Sequence, residues 1–142
     1  MPSADLKLKD IVAISGKPGL YKLINAVRMP FTAMDLESGK KFPVFPKDKV
    51  SFLRDISMFS ENGDIPLANV FQNLHEAFGD TIPDEAEVTK SHDSLRGFMG
   101  VALPEYDEER VRDSDIKKLA KWYVILRKAG MVLFVDDEEQ KA

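Results

Sequence analysis

Residues 11–45 read IVAISGKPGLYKLINAVRMPFTAMDLESGKKFPVF, a series of short apolar runs separated by glycine and proline. Near the middle of this stretch, Thr32, Met34 and Leu36 alternate with polar neighbours, and this period of two predicts a β-strand. The glycines and prolines between the runs are typical of tight turns. The stretch is therefore predicted to form short strands joined by tight turns.

The number and order of these strands predict a small barrel. Five strands are expected, at residues 11–14, 20–27, 31–36, 42–45 and 56–59. The fourth contains Pro43, which cannot donate a hydrogen bond to a neighbouring strand and so indicates a sheet edge or a bulge. A single helical turn carrying Val50 and Leu53 is expected before the last strand. This arrangement is typical of a closed SH3-like β-barrel.

Helical periodicity begins after the predicted barrel. Apolar residues from Leu67 to Phe78 recur at helical spacing, and Gly79 marks the end of that helix. The polar residues that follow are typical of a mobile linker, and two further helices are predicted beyond them. The predicted fold class is α+β, with a barrel and its helix at residues 1–79, a linker at 80–91 and a helical C-terminal unit at 92–142.

The composition is that of a globular protein of about one domain. Its 142 residues are 44% hydrophobic and 31% charged, and none is cysteine. The lack of cysteine excludes a disulfide framework and is typical of a reducing compartment. No apolar run approaches the ~20 residues needed to span a bilayer, and residues 1–10 lack the apolar core of a signal peptide. We expect a cytoplasmic protein with no membrane partner.

The net charge of −4 conceals an uneven distribution of charge along the chain. Residues 1–60 carry 10 Lys and Arg against 6 Asp and Glu, whereas residues 61–115 carry 14 acids and 4 bases. Residues 116–135 then contain five bases and no acid. The predicted barrel is therefore basic, the middle of the chain is acidic, and the last helix carries a basic segment.

Several motifs together resemble a known family. They are ISGKPGLYK at residues 14–22, GKKFPVF at 39–45, LRDIS at 53–57, LPEYD at 103–107 and SDIKK at 114–118. In combination they are similar to a family of uncharacterised proteins from Bacteroidota, which pair a small N-terminal domain of unknown function with a helical C-terminal one. The resemblance implies a cytoplasmic bacterial protein with this two-part layout. It implies no activity and no catalytic or binding residue.

No group of residues has the spacing of a known catalytic or metal site. The turn at residues 15–19 has two glycines and a lysine, but a P-loop needs four residues between its glycines, and this turn has two. The two histidines, His75 and His92, lie in no His-Glu-x-x-His motif, and there is no Gly-x-Ser-x-Gly elbow. The acidic run at residues 105–115 lacks the central glycine of a calcium loop. We predict a protein that is not an enzyme and uses no cofactor or metal.

Basic residues are interleaved with aromatic ones along the predicted barrel. Basic charge beside exposed rings is how several small domains bind nucleic acids, and small SH3-like barrels also bind peptides. In the simplest alternative, the rings form the core of the barrel and the lysines keep it in solution. The candidate binding residues are Lys17, Tyr21, Lys22, Lys40, Lys41 and Phe45.

The last predicted helix combines a basic stripe with a wide apolar face. Lys117, Lys121 and Lys128 fall on one side, which is either a solvated helix face or a contact for an acidic partner surface. The apolar residues, which include Trp122 and Tyr123, cover about 200° of the helix surface. Because one neighbouring helix does not cover so wide an arc, burial between several elements or at the interface of a homo-oligomer is expected.

The leading functional hypothesis is a non-enzymatic cytoplasmic adaptor that binds a protein or a peptide. The alternative is association with nucleic acid, as RNA or the ribosome, through the basic face of the barrel. The net charge of −4 is unfavourable to a strong nucleic-acid binder. The two hypotheses differ in salt dependence, because phosphate contacts release counterions on binding.

Overall fold

A computed structural model of the protein describes residues 7–17, 19–25, 30–131 and 134. The strands are β1 (Ile11–Ile14), β2 (Tyr21–Asn25), β3 (Phe31–Asp35), β4 (Lys41–Val44), β5 (Val50–Phe52), β6 (Ser57–Ser60) and β7 (Gly63–Pro66). The helices are α1 (Leu67–Phe78), α2 (Glu85–Val88), α3 (His92–Ala102) and α4 (Asp113–Lys128). The fold is α+β, as predicted. Among the described residues no helix has the length and apolarity that crossing a membrane requires.

The N-terminal strands form an antiparallel sheet in the order β4-β3-β2-β1-β5. β1 to β4 pair successively, and β5 returns to pair with β1, where Phe52 lies opposite Val12. The pairing of β2 with β3 shifts register between Leu23 and Asn25. β4, which contains Pro43, lies at one edge of the sheet, as its proline predicts.

One face of this sheet, termed the inner face, buries a small core of its own. Its buried residues are Val12, Ile14, Tyr21, Leu23, Ala33 and Val44, bordered by the partly buried Phe31, Phe42, Val50 and Phe52. None of these residues comes from a helix, so the sheet covers this face with its own side chains. On the opposite, outer face, Ile11 and Ala13 of β1 pack against the main core.

The predicted closed SH3-like barrel is not confirmed, because the described strands form an open sheet. Closure requires the two edge strands to pair, whereas the described pairings join β4 to β3 and β5 to β1. A closed barrel needs a continuous hydrogen-bonded ladder around its axis. β4 and β5 are the two edges of the described sheet, and no pairing among the described residues joins them.

Two local predictions in this region are wrong. Val50 lies in β5 rather than in the helical turn, although the 3-10 turn at Leu53–Asp55 does carry Leu53 and does precede the strand that begins at Ser57. Residues 56–59 do lie at a strand, β6, but it pairs with β7 in a separate hairpin rather than with the sheet. β7 is absent from the prediction because proline is typical of a first helical turn. In the structure Pro66 ends β7, and α1 begins at Leu67.

α1 connects the strands to the C-terminal helices through a shared core. The predicted apolar face of α1 is buried. Phe71 on this face stacks on Tyr123 of α4, with 6.2 Å between the ring centroids. Both residues belong to one cluster that extends from Leu8 to Phe134. The predicted linker, residues 80–91, contains the short helix α2. Because α2 contacts α3 and α4, this segment packs against the C-terminal helices.

Arg127 holds the ends of α1 and α4 together. Its side chain is buried, Nη1 donates to the carbonyl of Met131 at 2.8 Å, and Nη2 donates to the carbonyl of Gly79 at 3.3 Å. Carbonyl groups beyond the last turn of a helix have no partner within that helix. Arg127 therefore supplies hydrogen bonds to both helix ends from within the core.

A polar cluster joins the start of α3 to the start of α4. His92 Nδ1 lies 2.8 Å from Asp113 Oδ2, and Arg96 Nε donates to Asp113 Oδ1 at 3.1 Å. Arg96 Nη1 also donates to the carbonyl of Glu108 at 3.1 Å. The hydrogen bond with His92, assisted by Arg96, lowers the pKa of Asp113 below its ordinary value. Folding therefore stabilises the ionised form of Asp113 relative to its protonated form.

We expect Asp113→Asn to destabilise the protein at neutral pH and to have less effect in acid. Because the pKa of Asp113 is lowered on folding, the carboxylate contributes stability above the ordinary aspartate pKa. That contribution is lost as the pH falls through the folded-state pKa. Urea unfolding across a pH series measures the difference, with the exposed Asp64→Asn as control. A difference that is the same at every pH contradicts this role.

Candidate functional site

The first group of predicted binding residues lies at the inner face of the sheet. Tyr21 is 5% exposed, and its ring meets that of Phe42 edge to face at 5.3 Å. Burial, and then the charges of Asp35 and Glu37, raise the pKa of Tyr21. Lys17 is exposed, and its Nζ lies 5.0 Å from the centre of the Phe42 ring. Tyr21 therefore belongs to the core, which is the simpler of the two alternatives that the sequence left open.

The second group lies on the outer face or beside it. Lys22 and Lys41 both lie opposite Met34 in the ladder, so these three side chains form a row across the outer face. Lys40 is exposed next to β4, and Phe45, which follows β4, is 44% exposed. The structure thus places Lys22 and Lys41 on the face opposite Tyr21.

The predicted lysine stripe lies at the surface of α4. Lys117 and Lys128 are exposed, and Lys121 is partly exposed between them. Lys118 extends the stripe toward β6. Two shallow concavities run along it, each of about 300 Å³. The first, termed the lysine concavity, is lined by Glu85, Thr89, Lys117, Lys118 and Lys121.

A groove between β6 and α4, termed the β6 groove, is a feature that the sequence did not predict. Its volume is about 220 Å³. It is lined by residues 56–59, Leu67, Val111, Asp115, Lys118, Leu119 and Trp122. Neighbouring side chains of a strand point to opposite faces, so a groove that touches four consecutive residues runs along the backbone edge of that strand. The β6 groove is therefore bounded by a strand edge on one side and a helix on the other.

The backbone of β6 presents hydrogen-bonding groups to this groove. Paired residues of an antiparallel ladder alternate between those that exchange hydrogen bonds and those that do not. Ser57 lies opposite Pro66, which has no N–H to exchange. The N–H and C=O of Ser57 therefore point away from β7, toward the groove.

The other end of the same edge already carries an added strand. The N–H of Asp107 donates to the carbonyl of Phe59 at 3.0 Å, and the N–H of Glu61 donates to the carbonyl of Glu105 at 2.9 Å. Residues 105–107 thus pair briefly with β6 before the chain turns away. The β6 groove continues this edge, which is therefore shaped to accept a strand.

Side chains at the rim hold the groove in shape. The guanidinium of Arg110 lies 3.8 Å from the centre of the Phe59 ring, a cation–π contact. Asp115 Oδ2 accepts the N–H of Arg112 at 3.1 Å, so this carboxylate helps to stabilise the start of α4. Lys118 is exposed and has no such partner among the described hydrogen bonds and ion pairs. At the rim, the carboxylate of Asp115 thus accepts a hydrogen bond, whereas the ammonium group of Lys118 forms no ion pair with another described residue.

Trp122 is the residue whose role the sequence analysis missed. It was expected in the core, and part of its side chain does pack against the main core. The rest lines the β6 groove, where Trp122 is only partly buried. The sequence did contain a signal for the partial exposure of Trp122. The apolar residues of α4 span about 200° of its surface, and the elements packed against α4 do not cover all of that arc.

The described ranges contain no candidate metal site. No group of three or more His, Asp and Glu side chains within the described ranges is placed to hold a metal ion. His75 lies on α1, and its ring centroid is 6.2 Å from that of Phe134. The β6 groove instead combines backbone hydrogen-bonding groups with apolar side chains, which are the means of recognising a peptide.

Comparison with known proteins places the chain in a family. Domain of unknown function (DUF5606) matches residues 8–53, and Domain of unknown function (DUF6852) matches residues 56–126. A solution NMR structure of a protein from Bacteroides vulgatus is 35% identical, covers 87% of each chain and gives a TM-score of 0.69. No curated protein matches the sequence. The chain therefore belongs to the DUF6852 family, here with a DUF5606 domain before it, and the resemblance to a two-domain family from Bacteroidota is confirmed.

Proposed function

We propose that this protein is a non-enzymatic cytoplasmic adaptor that binds an extended segment of a partner protein in the β6 groove. The proposal rests on one observation. The outward-facing backbone of Ser57 and the partly buried ring of Trp122 line the same groove. Backbone hydrogen bonds to an added strand give affinity, and contacts with alternate side chains give selectivity.

The size of the groove supports a peptide rather than a cofactor as the ligand. Small-molecule sites have volumes of about 300–1,000 Å³. The β6 groove, at about 220 Å³, is smaller and suits one or two side chains. In a strand paired with β6, every second side chain faces the same way, so one side chain enters between β6 and Trp122 while its neighbours point outward.

Nucleic-acid association through the sheet is the second candidate. Lys22 and Lys41 flank Met34 on the outer face and supply positive charge for phosphate contacts. Binding of single strands also uses exposed aromatic rings on which bases stack. Among the aromatic residues of the sheet region, Phe45 is exposed, whereas Tyr21, Phe31 and Phe42 lie at the inner face. The β6 groove is therefore the better supported site.

We expect Ser57→Pro to weaken peptide binding by about tenfold or more, because it removes an N–H from the free edge and puts a ring in its place. The fold should tolerate it, since Ser57 is exposed and the preceding Ile56 has the extended conformation (φ −90°, ψ 137°) that proline requires. The probe is a linear peptide selected on the wild-type protein from a random library. Trp122, the single tryptophan of the chain, reports binding by fluorescence.

Ser57→Ala is the matched control, because it keeps the backbone N–H, and it should bind as the wild type does. Equal peptide binding by a folded Ser57→Pro protein contradicts strand addition at β6. Binding of single-stranded RNA that is lost in Lys40→Glu/Lys41→Glu, and that falls steeply between about 50 and about 200 mM salt, favours the nucleic-acid candidate instead.

A further inference from the structure

We infer that the segment bound in the β6 groove is acidic, with an apolar residue in the groove and Asp or Glu residues that reach the lysine concavity. This inference rests on the proposed function and specifies the chemistry of the partner. It comes from the position of Lys118 in both surface features of α4, from the charges that line them and from the fact that no ion pair among the described residues neutralises those lysines.

Lys118 joins the two features. It lines the β6 groove together with Leu119 and Trp122, and it also lines the lysine concavity with Lys117 and Lys121. The two depressions are therefore neighbours on one side of α4. A peptide longer than the one or two residues that fill the groove extends past Lys118.

The lysine concavity is positive even when its own acid is counted. Three lysines line it against one carboxylate, that of Glu85, together with the neutral Thr89. None of the ion pairs formed by the described residues uses a lysine of α4. The charge of these lysines is therefore not neutralised within the described part of the chain and is available to a ligand.

The positive charge of the lysine concavity favours acidic peptides over other peptides. Residues 61–115 carry 14 acids and 4 bases, so much of the second half of the chain repels acidic ligands, whereas residues 116–135 carry five bases and no acid. Asp115, the acid in the β6 groove, is held by the N–H of Arg112 at the start of α4. Complementary charge steers encounter and excludes wrong partners more than it raises affinity. An acidic flank would thus orient the peptide at the lysine end of the groove.

The test is a selection of random linear peptides displayed on phage, carried out in parallel on the full-length wild-type protein and on Ser57→Pro. We expect the peptides enriched on the wild type alone to share an apolar residue flanked by Asp or Glu. Lys117→Glu/Lys118→Glu should weaken their binding by about tenfold, since each exposed ion pair contributes a modest share of affinity. The matched control, Lys47→Glu/Lys49→Glu, makes the same change in net charge at two exposed lysines that line neither the groove nor the concavity, and it should leave binding unchanged.

The other outcomes separate the failure of this inference from the failure of the proposed function. Enriched peptides that need Ser57 but show no excess of acidic residues overturn the acidic partner and leave peptide binding intact. Acidic peptides that bind Ser57→Pro as well as the wild type show a charged patch that acts without the groove, which overturns the inference. No enrichment on the wild type over Ser57→Pro overturns the proposed function and, with it, the inference.

Discussion

Phe71→Ala will lower the free energy of unfolding by about 3–5 kcal/mol, because it removes a large buried side chain and leaves a cavity. The ring of Phe71 is fully buried and packs against those of Tyr123 and Phe134, at centroid distances of 6.2 and 5.6 Å. Small domains have a total stability of about 5–15 kcal/mol. The variant will therefore lose a large part of its stability, which urea unfolding followed by circular dichroism measures.

Phe45→Ala is the matched control for this variant. Phe45 is 44% exposed, so its removal leaves no cavity and is expected to change the free energy of unfolding by less than about 0.5 kcal/mol. If Phe71→Ala costs no more than Phe45→Ala, α1 and α4 do not share a core.

Residues 1–79 will not fold when they are expressed without the rest of the chain. In the intact protein the apolar face of α1 is buried in a cluster that also contains residues of α3 and α4. Exposing Leu67, Val70, Phe71 and Leu74 costs about 1.5–3 kcal/mol each, and the sum is comparable to the whole stability of a small domain. We expect the fragment to show no cooperative thermal transition.

The complementary fragment provides the control. If the halves depend on each other, mixing residues 1–79 with residues 80–142 should restore a cooperative transition that neither shows alone. A sharp transition for residues 1–79 alone would instead support the domain boundaries predicted from the sequence, with an independent N-terminal unit.

α1, α3 and α4 were predictable from the sequence because their signals are local, whereas α2 lies in the segment that was predicted to be a linker. A stripe of apolar residues at helical spacing predicted α1, and Gly79 marked its end, where the backbone has φ 59°. Ser91 caps α3 by accepting the N–H of Ser94 at 3.1 Å, and serine is one of the residues typical of that position. Such patterns depend on residues within one or two turns, so the chain reveals them without knowledge of its tertiary contacts.

The strand partners and the β6 groove depend on contacts that are distant in sequence. Period-two alternation located β3 and an apolar run located β1, but neither signal shows which strands pair, so β6 was placed in a closed barrel that the described residues do not form. Alternation also separates the two faces of a strand without showing which face is covered, so the sequence left open whether Tyr21 is a core residue or an exposed ring. The groove forms only where the edge of β6 lies next to α4 in the folded chain, and no local sequence pattern predicts that contact.

The most direct test of peptide binding in the β6 groove is an NMR titration of the intact protein with a selected peptide. We expect the amide signals of Ser57 and Phe59 and the indole signal of Trp122 to shift together, while the amides of Lys22 and Lys41 on the sheet stay in place. Shifts centred on Lys22 and Lys41, with Ser57 and Trp122 unmoved, would show that the partner binds the sheet and not the β6 groove.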